Sequence, residues 1–169
     1  IEAGEARRQA DLAMYRAKEL GRAQHCFFEP EMDHALKARR ALEADLREAL
    51  ATDMLTMAYQ PQVDGKGQII GVEALVRWTH PERGSVSPAI FVPIAEEGGL
   101  IDALGQFTLR QAFTDSLRWP GLRVAVNVSA VQLRAAGFPA VLEDLLKATG
   151  ASARDIELEI TESVLLADD

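Results

Sequence analysis

Four segments of this chain alternate apolar and polar residues with a period of two, and their polar positions are rich in glutamine, glutamate, arginine and asparagine. Such alternation marks β-strands whose two faces meet different surroundings. In residues 69–78, Ile70, Val72, Ala74, Val76 and Trp78 share one face, and Gly71, Glu73, Leu75 and Arg77 share the other. In 123–129, Val124, Val126 and Val128 oppose Arg123, Ala125, Asn127 and Ser129. In 156–161, Ile156, Leu158 and Ile160 oppose Glu157, Glu159 and Thr161, and the segment 55–62 sets Leu55, Met57 and Tyr59 against Ala58, Gln60 and Gln62. One face of each strand suits a helix layer. A central sheet is ordinarily apolar on both faces, and a carboxylate is costly to bury unless it is paired or holds a metal. The polar faces therefore either line a common site, as at the strand ends of a (β/α) barrel, or face solvent on an open sheet.

The segments between these strands read as helices and turns. Asp64-Gly65-Lys66-Gly67 is a tight turn, so strands 55–62 and 69–78 form an antiparallel hairpin. Residues 79–87 read as a polar loop. Ser87-Pro88 caps and starts a helix that Gly98-Gly99 end, a second helix fits about 101–118, and a third fits 138–149 before Gly150. After the hairpin, strand and helix alternate, which predicts parallel α/β architecture. Upstream, Ala6, Ala10, Ala13, Met14 and Ala17 recur at helical spacing over about 2–20, with Gly21 at the cap position. Residues 24–28 suit a short strand. Pro30 opens a helix to about Ala51 with a stripe of Leu42, Leu46 and Leu50, either a solvated connector or a relay between domains.

The chemistry offered is that of oxygen. Glu73, Asn127 and Glu159 present only oxygen ligands, which favours a hard cation such as Mg²⁺ or Mn²⁺ over zinc. His25, His34 and His80 lie outside the strands and read as structural or solvated. Arg77 suits either a salt bridge to a neighbouring carboxylate or a phosphate contact. A net charge of -8 argues against a DNA- or RNA-polymer binder. Cys26 is the only cysteine, so no internal disulfide forms, in keeping with a cytoplasmic location. No apolar run approaches the ~20 residues of a membrane span, so no membrane contact is expected from this segment. Ile1 reads as the interior of a helix, and the chain is expected to begin inside a larger protein.

The words YQPQVD, GVEALVRWTHPERG, FVPIAEEGGLI, NVSAVQL and IELEITES follow one another in an order and spacing that resemble the EAL family of cyclic-di-GMP phosphodiesterases. The stretch ADLAMYRAKELGR at 10–22 resembles the closing helix of GGDEF domains. These resemblances imply a GGDEF remnant over 1–29, a helical linker over 30–52, and the N-terminal half of an EAL domain over 53–169. They imply an incomplete TIM-like barrel with one antiparallel strand. They also imply hydrolysis of cyclic di-GMP to the linear dinucleotide with two divalent metals. By resemblance Glu73, Asn127 and Glu159 are metal ligands and so act catalytically, Gln60 and Arg77 bind substrate, and Glu162 positions a neighbouring loop. About half of a ~250-residue barrel follows the linker, so the chain alone is expected to be inactive. The parent is expected to be a cytoplasmic enzyme, possible as a homodimer. The alternative is a degenerate EAL domain that binds cyclic di-GMP as a receptor or regulatory module.

Overall fold

The structure, a computed structural model, describes residues 2–19, 21, 23–52 and 54–160. It divides into two compact units, Ile1–Ala44 and Asp45–Asp169. The first holds helix α1 (Ala3–Glu19) and most of helix α2 (Pro30–Ala49). Here Arg8 bridges Glu5, one turn away on α1, and Asp33 on α2, which also meets Lys37 at 2.9 Å. The buried residues of α1 are Leu12, Ala13 and Ala17, whereas Met14 and the alanines at 6 and 10 are exposed. The predicted stripe is thus rotated toward Leu12. Residues 24–28 form no strand, contrary to expectation: a strand needs a ladder partner, and His25 and Phe27 instead meet edge to face in irregular chain.

Among the described residues, the second unit forms a five-stranded mixed sheet with helices packed on one face. Strands β1 (Leu55–Val63) and β2 (Ile69–His80) pair antiparallel, and β2, β4 (Arg123–Val128) and β5 (Ile156–Ile160) run parallel in the order β1-β2-β4-β5. Helices α3 (Pro88–Glu97), α4 (Ile101–Ser116), α5 (Ala130–Arg134) and α6 (Phe138–Thr149) fill the connections. The helices the sequence predicts over 88–97, 101–118 and 138–149 are all present. Pro88 stands in the first turn of α3, and Gly150 closes α6 at φ 76°, where a side chain would be strained.

One expectation fails within this unit. Residues 79–87 are not simply loop: β2 continues to His80 and pairs with a three-residue strand, β3 (Gly84–Val86). The imidazole of His80 accepts at Nδ1 from the backbone N–H groups of Glu82 and Arg83, both at 3.1 Å. Its Nε2 faces Asp45 at 3.2 Å, so this buried histidine is structural, as the sequence suggests. A turn built from a side-chain acceptor carries no hydrophobic period, which is why alternation did not reveal it.

The core lies between the apolar strand faces and α4 and α6. Val72, Ala74, Val124, Val126 and Val128 meet Leu109, Ala112, Phe113, Phe138 and Leu145, every one buried. Above it Trp78 packs edge to face on Phe91 of α3, and Leu46 and Ala49 of α2 are also fully buried. These are the faces that alternation assigned to a helix layer, and the opposite faces are left to carry the polar groups.

Candidate active site

Strand pairing, antiparallel for β1–β2 and parallel for β2–β4 and β4–β5, aligns the polar faces. Glu73 lies opposite Gln60 on β1 and Ala125 on β4, and Asn127 lies opposite Glu159 on β5. Asn127 Nδ2 donates to Glu73 Oε1 at 2.8 Å. That bond uses one N–H of the amide, and Oδ1 takes no part in it. Glu73 and Glu159 are half-buried, while Gln60 and Asn127 are exposed.

A fifth polar residue joins the face. Gln62 Nε2 donates to Glu159 Oε1 at 3.4 Å, although β1 and β5 are separated by two strands. Neighbouring strands lie about 4.8 Å apart, so a flat sheet would hold these residues far beyond hydrogen-bonding reach. The sheet curls around its polar face. Gly71 assists: a Cβ there would sit 3.2 Å from Gln62 Oε1 and 2.8 Å from the Arg123 carbonyl oxygen. On the same face Arg123 pairs with Glu157 at 3.1 Å.

Arg77 lies further along β2 than Glu73. Its Nη1 donates to the Val76 carbonyl at 3.1 Å, and among the described residues no ion pair to a carboxylate engages it. It opens, with Asn127, onto a cleft of about 270 Å³ whose walls include Leu75, Pro88, Val92 and Gln132. Glu162 and Thr161 lie outside the described residues.

The turn after Asn127 carries groups that sequence reading passed over. Ser129 Oγ accepts from the Val131 N–H, and the Ser129 N–H donates to Gln132 Oε1, a reciprocal cap on α5. The signal was present as a serine followed three residues later by glutamine. Ser129 Oγ also donates to Glu96 Oε1 of α3 at 2.5 Å, a long-range contact with no sequence signature.

Two carboxylates and an amide oxygen on one concave face are a donor set suited to a hard divalent cation rather than a soft one. Among the described residues no group of three or more His, Cys, Asp or Glu side chains is placed to hold a metal ion.

The profile of the EAL domain matches residues 43–169, most of the chain and all five strands. The chain belongs to the EAL domain family. It is 48% identical over 161 residues to an uncharacterized signaling protein of Caulobacter vibrioides, covering 94% of this chain and 20% of that protein. It is 41% identical over 166 residues to the cyclic di-GMP phosphodiesterase PdeR of Escherichia coli, covering 96% of this chain and 25% of PdeR. This EAL chain thus spans a fifth to a quarter of the length of these relatives. A solved complex of the PaMucR phosphodiesterase with c-di-GMP superposes with a TM-score of 0.71 at 37% identity, over 76% of this chain and 54% of that one. The mixed α/β fold is therefore that of EAL domains. Among the described residues no helix is long and apolar enough to cross a membrane.

Proposed function

We propose that the whole protein carrying this EAL segment hydrolyses cyclic di-GMP to the linear dinucleotide with the help of Mg²⁺ or Mn²⁺. The observation that carries the reading is the contact between Asn127 and Glu73, with Glu159 in register beside Asn127 on the same face. Glu73, Glu159 and the Asn127 oxygen would hold the cation, as part of a two-metal site completed by residues beyond this segment. When bound, the cations supply positive charge at the phosphate and an acidified water as nucleophile.

The residues of this chain do the positioning. Arg77 presents a forked guanidinium to the phosphate not under attack, and Gln60 lines the substrate pocket. Glu162 positions a neighbouring loop. The apolar walls of the cleft at Leu75, Pro88 and Val92 exclude water from around the diester, which strengthens each charged contact. The same reading makes residues 1–29 the tail of a GGDEF domain, 30–52 a helical linker and 53–169 the first half of a TIM-like barrel. It has the protein act in the cytoplasm, with the chain alone inactive because its metal cage is incomplete.

The test is hydrolysis by the whole protein, with the linear product resolved by chromatography. Turnover is expected in Mg²⁺ and Mn²⁺ and poor in Ca²⁺, whose looser coordination holds an attacking water less rigidly. Glu73→Gln keeps the shape, removes a ligand charge and should abolish turnover. Undiminished turnover by that variant would overturn the metal role. Tight binding of cyclic di-GMP without any product would establish a receptor in place of an enzyme.

A further inference from the structure

The side chain of Asn127 is exposed, so packing around it does not hold it in place. What fixes its backbone is the strand before it and the turn after it. That turn leads into α5, a helix of five residues. A helix so short has no stability of its own, because nucleation costs more than one turn of hydrogen bonds returns. Its position must come from tethers to larger elements.

Two tethers are visible. The first runs to α3: the buried Ser129 donates its hydroxyl hydrogen to Glu96 Oε1 while its oxygen accepts from the Val131 N–H. The second runs to α4: Gln132, also buried, caps Ser129 and lies against Gly105 so closely that a Cβ there would fall 1.7 Å from Gln132 Nε2. Only glycine admits that approach. The hydroxyl-to-carboxylate bond is charge-assisted, a class stronger than neutral hydrogen bonds. It is made two residues after Asn127, at the N-cap of α5, and Asn127, Ser129 and Gln132 line the same cleft.

We propose that Glu96 is a positioning residue for metal binding: through Ser129 it fixes the β4–α5 turn and so holds the Asn127 amide in the geometry a divalent cation needs. This inference rests on the reading of Asn127 as a metal ligand. Outer groups that orient a ligand typically change metal affinity by about 10- to 100-fold when removed.

The experiment is direct titration of the whole protein with Mn²⁺, following free Mn²⁺ by its paramagnetic resonance signal, alongside hydrogen exchange of the amides at 127–133. Glu96→Ala should raise the Mn²⁺ dissociation constant about tenfold and speed exchange in this turn. Glu96→Gln keeps an oxygen acceptor for the Ser129 hydroxyl and should stay within about twofold of the unaltered protein, a rescue that loss of fold would not produce. Ser129→Ala should reproduce the Glu96→Ala effect, and the double variant should be no worse than either single one, since both remove one interaction. Unchanged Mn²⁺ affinity in a folded Glu96→Ala variant, or additive losses in the double variant, would overturn the inference while leaving the metal reading intact. If Glu96→Ala fails to fold, Ser129→Ala against Glu96→Gln decides: equal affinities in the two overturn the proposal. Absence of any Mn²⁺ binding that Asn127→Ala removes would overturn the metal reading and the inference with it.

Discussion

Asn127 on β4 and Glu73 on β2 are joined by a single hydrogen bond of 2.8 Å, with the amide as donor and the carboxylate as acceptor. The two residues are 54 positions apart in sequence and sit on adjacent parallel strands, offset by two residues in register, since Glu73 pairs with Ala125. The bond orients the two groups with respect to each other. It also assigns the amide: the nitrogen faces Glu73, and the oxygen takes no part in that bond.

Asn127→Asp would replace that donor with a second carboxylate. Two like charges at this separation disfavour each other's ionised form unless a cation stands between them. The whole protein bearing this change should melt several degrees lower than the unaltered one in EDTA, about what 1–2 kcal/mol produces in a domain of this size. Saturating Mg²⁺ should recover most of the difference. Thermal melts with and without chelator read this out, and an equal loss in both conditions would count against a shared cation site.

Gly71→Ala tests the curl of the sheet. Its Cβ would meet the Arg123 carbonyl at 2.8 Å, and a backbone atom in a paired strand has nowhere to go. A cost of about 1–3 kcal/mol is expected, with the added consequence that Gln62 is pushed off its path to Glu159. Urea unfolding should show a lower midpoint with unchanged slope. A midpoint equal to that of the unaltered protein would mean that β2 and β4 are less tightly held than the structure has them.

Tyr59 supplies a pH dependence. Burial, reinforced by its hydrogen bond to Asp115, pushes the phenol well above its ordinary value of 10.0. In the folded state the proton is thus held more tightly than in the unfolded chain. The contribution is fully present below the ordinary phenol value and is lost as pH rises through the raised one. Tyr59→Phe should therefore lower stability at neutral pH by about 1 kcal/mol, and the gap to the unaltered protein should shrink above pH ~10. Denaturant unfolding at a series of alkaline pH values gives the comparison, and a constant gap would show that burial and Asp115 do not hold the phenolic proton more tightly in the folded state.

The strands and their faces were legible because alternation is a local property. Val72, Val124, Val126 and Val128 read as helix-facing from a window of a few residues, and they form the core. Glu73, Asn127 and Glu159 could be nominated as candidate oxygen ligands for the same reason, and the family words that surround them are local too. The hairpin of β2 and β3 escaped because its turn depends on one imidazole accepting two backbone hydrogens, with only three residues of strand beyond it.

By itself the sequence determined the period of the four long strands and of the helices that follow the hairpin, the side on which the polar residues of those strands lie, and membership of the EAL family, since all of these depend on neighbours in the chain. Only the tertiary structure decided that Gln62 reaches Glu159 across two intervening strands, that Gly71 and Gly105 leave room for particular glutamines, and that Glu96 holds the hydroxyl of Ser129. The physical reason is that curvature and close approach arise from how strands and helices pack together. Side-chain alternation records which face a residue takes but not how sharply that face bends.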